Sequence, residues 1–108
     1  GIDTELVDSI APELAAEVLR QDEACELDHG ARPDGADWLT LHFCLKEAAY
    51  KAFYPIFRRV IGFQDMRLRV QPLTREFLAE PQGRPVGEAR IFRGRYRVEC
   101  RRILAACW

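Results

Sequence analysis

The chain has no apolar run approaching the ~20 residues needed to cross a bilayer, and no basic-then-apolar leader opens it. Neither a membrane span nor a secretory signal is expected in these residues. Its four cysteines (Cys25, Cys44, Cys100, Cys107) include no CxxC pair, so the spacing of a structural zinc site is absent. Cys44 and Cys107 stand among apolar neighbours and read as small buried hydrophobes. Spacing alone leaves a disulfide open; free thiols in a reducing cytosol are the expectation, and with them a cytoplasmic location. Repeats and low-complexity tracts are missing. With 108 residues there is room for one core and no second domain. No methionine precedes Gly1, which suggests a piece of a longer polypeptide.

What is present is ordinary for a globular domain: 48% hydrophobic and 31% charged residues, a balance that argues against disorder. The net charge of −1 hides an asymmetry. Residues 1–37 carry eleven acids against two arginines, a balance of −9, whereas residues 38–108 carry fourteen bases against six acids, a balance of +8. Such a chain can hold a cation at one edge and an anion at another, or simply pair its two blocks across the fold. Arginines 90, 93, 95, 97, 101 and 102 could suggest nucleic acid. Aromatic interleaving is thin (Phe92, Tyr96), the chain is net acidic, and no nucleic-acid module is visible. A solvated sheet face, or one meeting an acidic protein, is the preferred reading.

Gly1 to Val7 alternates apolar and polar residues, the period of a half-buried strand, with Asp3 and Glu5 on one face and Ile2 and Leu6 on the other. Ser9 and Pro12 offer a helix start, the helix running through Leu14, Val18 and Leu19 towards Cys25. Residues 28–37 (DHGARPDGAD) read as a turn-rich loop. Leu39 to Phe43 alternates and is expected to be extended, after which a helix runs from Cys44 to about Arg59. Its candidate core contacts are Leu45, Ala48, Ala49, Ala52, Phe53, Ile56 and Phe57. Pro55 should kink it or end its regular part, with Gly62 at the exit. Strand-like pieces follow at 66–70 and 75–78, then a loop with Pro81, Gly83, Pro85 and Gly87, then two strands between Arg90 and Trp108. The order predicts an α+β domain, an antiparallel sheet packed against a long helix. Trp38, Phe53, Phe57 and Trp108 are expected in the core, and His29 and His42 in structural or solvated positions.

Two segments carry chemistry. Asp3-x-Glu5 sets two carboxylates on one strand face; in Lys46-Glu47-Ala48-Ala49-Tyr50-Lys51, Glu47 and Lys51 stand one helical turn apart on one face. Three carboxylates and a lysine suit a hard divalent cation and a phosphate together. Taken singly each piece is unremarkable. A Glu–Lys pair at this spacing is ordinarily a solvated surface pair worth ~0.2–0.5 kcal/mol, and Asp-x-Glu is ordinarily an exposed edge.

Taken together, Gly1-Ile2-Asp3-Thr4-Glu5 and, some forty residues on, Phe43-x-x-Lys46-Glu47-Ala48-x-Tyr50-Lys51-Ala52 resemble the paired signature of the 4'-phosphopantetheinyl transferases. The resemblance spans essentially the whole chain. It implies that Asp3, Glu5 and Glu47 are magnesium ligands and that Lys46 and Lys51 flank the phosphates of coenzyme A. It also implies that Glu47, directly or through a metal-bound water, takes the proton of the acceptor serine, with Lys51 beside it as the second catalytic residue. The partner implied is an acyl or peptidyl carrier protein. Glu5 favours the pseudodimeric surfactin and enterobactin type over the small trimeric synthases, and this chain resembles its C-terminal lobe. The expectation is a single lobe, residues 1–108, acting with an N-terminal lobe or with further copies of itself. Neither nucleic acid nor membrane is an expected partner, and the segment 58–64 is a candidate carrier contact by position. A competing reading is a non-catalytic lobe that binds a carrier protein or supports a larger synthase.

Overall fold

The computed structural model describes residues 1–27, 30–83 and 90–108. The expectations for His29 and for the loop glycine and proline at 87 and 85 lie outside these residues. Five strands form one antiparallel sheet: β1 (Ile2–Leu6), β2 (Met66–Gln71), β3 (Glu76–Pro81), β4 (Phe92–Glu99) and β5 (Arg102–Cys107), in the order β1-β5-β4-β3-β2. The last four make a meander, and β1 joins its far edge against β5, pairing Asp3 with Ala105 and Glu5 with Ile103. The α+β architecture read from the sequence is the one found. One helix, α3 (Trp38–Phe57), packs across the β1–β5–β4 end of the sheet.

β4 shows why the sheet buries one face. Phe92, Gly94 and Tyr96 are buried while Arg93, Arg95 and Arg97 between them are exposed, the period of two expected of a sheet covered on one side. The buried residues join Leu41, Leu45, Ala49 and Phe53 of α3 and Phe77, Ala79 and Ile103 of the sheet in one core. At Gly94 a Cβ would lie 2.1 Å from the Phe77 ring, so the ring of the paired residue fills the space the glycine leaves. Trp108 departs from the expectation of burial. It is 58% exposed on the arginine face, because the strand parity that buries Cys107 turns it outwards. Ile56, 47% exposed, also lies off the core side of α3.

Two further expectations are corrected. Leu39 to Phe43 is not extended, because α3 already begins at Trp38. Asp37 caps it, its Oδ2 accepting from the Thr40 N–H at 2.9 Å and from the Thr40 hydroxyl at 2.7 Å, and the cap outweighs a short alternating pattern. At the other end Pro55 sits in the last turn, and Arg58 closes the helix in the left-handed region, donating to the Tyr54 carbonyl at 2.8 Å. Residues 12–26 do not form one helix either. They break into a 3-10 turn (Pro12–Leu14), α1 (Ala15–Val18) and α2 (Gln21–Glu26), with Leu19 and Arg20 extended between them. Tertiary donors occupy the carbonyls that a continuing helix would use: Lys46 Nζ reaches Val18 O at 2.8 Å, and Gln64 Nε2 reaches Ala16, Glu17 and Leu19 at 3.0, 3.1 and 3.0 Å.

The two charge blocks meet across the fold. Arg75 forks onto Asp34 at 2.8 and 3.0 Å, Arg67 reaches Glu26 at 2.8 Å, and Lys46 and Lys51 each find an acid of the N-terminal block. Among the described residues no helix is long and apolar enough to cross a membrane.

Candidate functional site

The site begins with small residues. A Cβ on Gly1 would lie 2.1 Å from the Ala48 carbonyl and 2.8 Å from Lys51 Cβ. Glycine there, and alanine at 48 and 52, let β1 run directly against α3. The start of β1 is fixed by bonds exchanged with β5: Gly1 N to Cys107 O at 2.6 Å and Cys107 N to Gly1 O at 2.8 Å. With β1 held there, its polar face looks inwards: Asp3 and Glu5 are half-buried while Ile2, Thr4 and Leu6 are exposed. A strand that covered its apolar face would have turned both carboxylates to water.

Lys51 closes the gap between strand and helix. Its ammonium donates to Asp3 Oδ1 at 2.9 Å and to the Ile2 carbonyl at 3.0 Å. Asp3 retains only 11% of its side-chain exposure, and its Oδ2 is buried without a hydrogen-bond partner. Glu5 lies against Asp3. Burial first, then the bond to Asp3 and the charges of Asp3 and Glu47, push its carboxyl up to about 6, against the opposing pull of Lys51. Burial and then the Asp3 charge also raise Glu47 above the usual carboxylate range, Lys51 again opposing. The bond to Asp3 raises Lys51, which therefore stays charged. Three acids and one ammonium thus share one electrostatic environment. Among the described residues, however, no three His, Cys, Asp or Glu side chains already surround a common point as metal ligands would.

Of the five residues singled out from the sequence, the fold brings four together: Asp3, Glu5, Glu47 and Lys51. Lys46 is not among them. One position along the helix turns its ammonium away from that cluster, and there it is buried and donates to Glu23 Oε1 at 2.7 Å, Val18 O at 2.8 Å and Phe63 O at 2.9 Å. All three of its donors are used inside the protein, so in this arrangement it does not flank a phosphate. Glu23 completes the hub, accepting from the Arg20 and Leu68 N–H groups at 2.8 Å each. Burial holds Lys46 below its ordinary value. His42 is structural, 2% exposed with Nδ1 3.0 Å from the Trp38 carbonyl and its basicity lowered by burial.

Cys44 is the buried hydrophobe its apolar neighbours predict, and it also lies against the acidic cluster. Burial, followed by the Asp3 and Glu5 charges, drives its thiol far above the ordinary range. The spacing 44, 47, 51 is one helix face and could have announced this. A cavity of about 590 Å³ lies elsewhere, on the open sheet face beside Arg69, Arg93, Arg95 and Trp108. It is lined by neither Asp3 nor Glu47.

The donor set suits a hard divalent cation. It consists of carboxylate oxygens, one of them buried and unpartnered, around a Glu whose proton affinity is raised by burial and by its acidic neighbours. A cation there would satisfy the orphaned oxygen and offset the mutual repulsion. A family model for the 4'-phosphopantetheinyl transferase superfamily matches residues 1–100. No curated protein matches the chain.

Proposed function

Because the chain belongs to the 4'-phosphopantetheinyl transferase superfamily, we propose that it supplies the magnesium- and phosphate-facing lobe of an enzyme loading carrier proteins. The reaction moves 4'-phosphopantetheine from coenzyme A to a serine of an acyl or peptidyl carrier protein. The single observation that carries this reading is the facing of Asp3 and Glu5 on β1 against Glu47 and Lys51 on α3, joined by the 2.9 Å Lys51–Asp3 contact.

Asp3, Glu5 and Glu47 would hold magnesium, which when bound neutralises charge on the diphosphate. Lys51 offers an ammonium that can leave Asp3 for a phosphate oxygen, a charge-assisted exchange between two oxygen acceptors. Glu47, its proton affinity raised by burial and by Asp3, would accept the serine proton. The serine oxygen then bonds to the β-phosphorus, the bond from that phosphorus to the bridging oxygen breaks, and 3',5'-adenosine bisphosphate leaves with the electron pair. The protein's contribution is positioning and charge neutralisation. The adenine end of coenzyme A would be held by a second lobe or a further copy of the chain.

The test is the intact mass of a carrier protein incubated with coenzyme A, magnesium and the polypeptide containing this lobe. Loading should fail with chelator and with Glu47→Gln, and persist with Arg95→Ala on the far sheet face. Full loading by Glu47→Gln would refute the assignment.

A further inference from the structure

The sheet face turned away from α3 carries cations that the acids of the N-terminal block leave unpaired. Strand register lays Arg69, Leu78, Arg93 and Trp108 in one row across β2, β3, β4 and the residue that follows β5. In the next row Glu76 stands opposite Arg95. Together they line the open depression of about 590 Å³. Lys46, Lys51, Arg67 and Arg75 each hold an acid of residues 1–37, and Arg69 is held by Glu80 at 3.3 Å. Arg93 and Arg95 are exposed and hold no acid among the described residues; even Glu76, facing Arg95 in register, forms no ion pair with it. Trp108 completes the row with its ring largely in solvent.

We propose that this face docks an acidic segment of a partner protein, at a place separate from the acidic cluster of β1 and α3. Two carboxylates of the segment meet Arg93 and Arg95, and an apolar side chain rests on Leu78 and Trp108. The argument is one of charge, spacing and residue type. A guanidinium takes a carboxylate through two parallel N–H bonds. Alternate residues of a strand stand roughly 7 Å apart, so the two arginines match carboxylates at alternate positions of an extended chain. Tryptophan and arginine are also the side chains that dominate the centres of protein interfaces. Glu76 decides against a polyphosphate. It would repel phosphates along the same row, whereas a polypeptide can meet it with a backbone N–H. Phe77 beneath is buried, so Trp108 alone offers a ring, short of the successive stacking platforms that a nucleic acid uses.

The experiment titrates the isotope-labelled chain with three probes and follows amide and indole NMR signals. The probes are a blocked peptide in which glutamates alternate with alanines around one phenylalanine, the same peptide with glutamine for every glutamate, and oligothymidylate. The glutamate peptide should shift Leu78, Arg93, Arg95 and the Trp108 indole and leave Glu47 and Lys51 unmoved. The glutamine peptide should shift none of them at the same concentrations. Arg93→Gln combined with Arg95→Gln should weaken the glutamate peptide about fivefold, the loss of two exposed ion pairs, and Trp108→Ala should act in the same direction. Arg101→Gln combined with Arg102→Gln removes the same charge at the β4–β5 turn and should leave the affinity unchanged, which separates this face from net charge. No shifts with the glutamate peptide, or equal shifts with the glutamine peptide, would overturn the inference. Tighter binding of oligothymidylate than of the glutamate peptide would assign the face to nucleic acid and overturn it. The same shifts on concentrating the chain alone would assign it to a second copy and overturn it too.

Discussion

Replacing Lys46 by methionine tests the reassignment of that lysine from the phosphates to the interior. The Lys46–Glu23 pair is sealed, each side chain 1% exposed with 2.7 Å between charges. Lys46→Met keeps the stem and removes the ammonium, leaving the Glu23 carboxylate with two backbone donors and no counter-ion, and the Val18 and Phe63 carbonyls without their donor. Breaking a buried pair from one side costs about 3–5 kcal/mol, a large share of the ~5–15 kcal/mol that holds a domain together. At this size about 3 kcal/mol corresponds to a fall in Tm of roughly 12 °C or more. Adding Glu23→Gln neutralises the stranded charge and supplies an amide that can donate to one of the two carbonyls. The double variant should therefore recover about 2 kcal/mol of the loss, within the range of couplings seen between contacting residues. Urea unfolding of the four proteins in the cycle gives both quantities. A Lys46→Met cost under about 1 kcal/mol, or strictly additive losses, would refute the buried-hub reading.

Glu5 gives a pH prediction. Its carboxyl is raised from 4.5 to about 6, so between those values the folded chain holds a proton that the unfolded chain has released. Stability without divalent cation should then fall as pH rises through that window. Glu5→Gln should flatten the slope and stabilise the chain at pH 7 by about 1 kcal/mol, solvent screening at this half-buried group being discounted; chemical denaturation from pH 4 to 7 would reveal an unchanged slope if the reasoning is wrong. At Gly94 a Cβ would press on the Phe77 ring at 2.1 Å and on the Ala106 carbonyl at 2.7 Å. Gly94→Ala should cost about 1–3 kcal/mol of overpacking, and a calorimetric Tm equal to the parent's would contradict that packing.

The parts of the fold legible in the sequence were those where one local rule acted alone. Period two in Ile2 to Leu6, Met66 to Gln71 and Phe92 to Glu99 gave strands, because each has a single covered face. The reading failed where a distant residue decided. Leu39 to Phe43 alternates, but the Asp37 cap and the need to bury Leu41, Cys44 and Leu45 make it helix. Residues 12–26 have helical spacing, but Lys46 and Gln64, far along the chain, take the carbonyls. In the site, the shared face of Glu47 and Lys51 followed from a spacing of four. That Asp3 and Glu5 turn inwards could not be read from β1, whose apolar residues would ordinarily claim the buried side; it depends on Gly1 meeting Ala48. Lys46 and Glu47 are neighbours in sequence, and about 100° of helix rotation gives them different surroundings.

The proposed function requires Asp3, Glu5, Glu47 and Lys51 to form one divalent-cation and phosphate site. Calorimetric titration of the chain with magnesium, repeated with 4'-phosphopantetheine present, addresses it most directly. One cation should bind per chain, tighter with the phosphate ligand, with binding lost in Asp3→Asn and in Glu47→Gln, and the phosphate enhancement lost in Lys51→Met. Magnesium binding of equal strength in all four proteins, with no enhancement by the phosphate ligand, would contradict it.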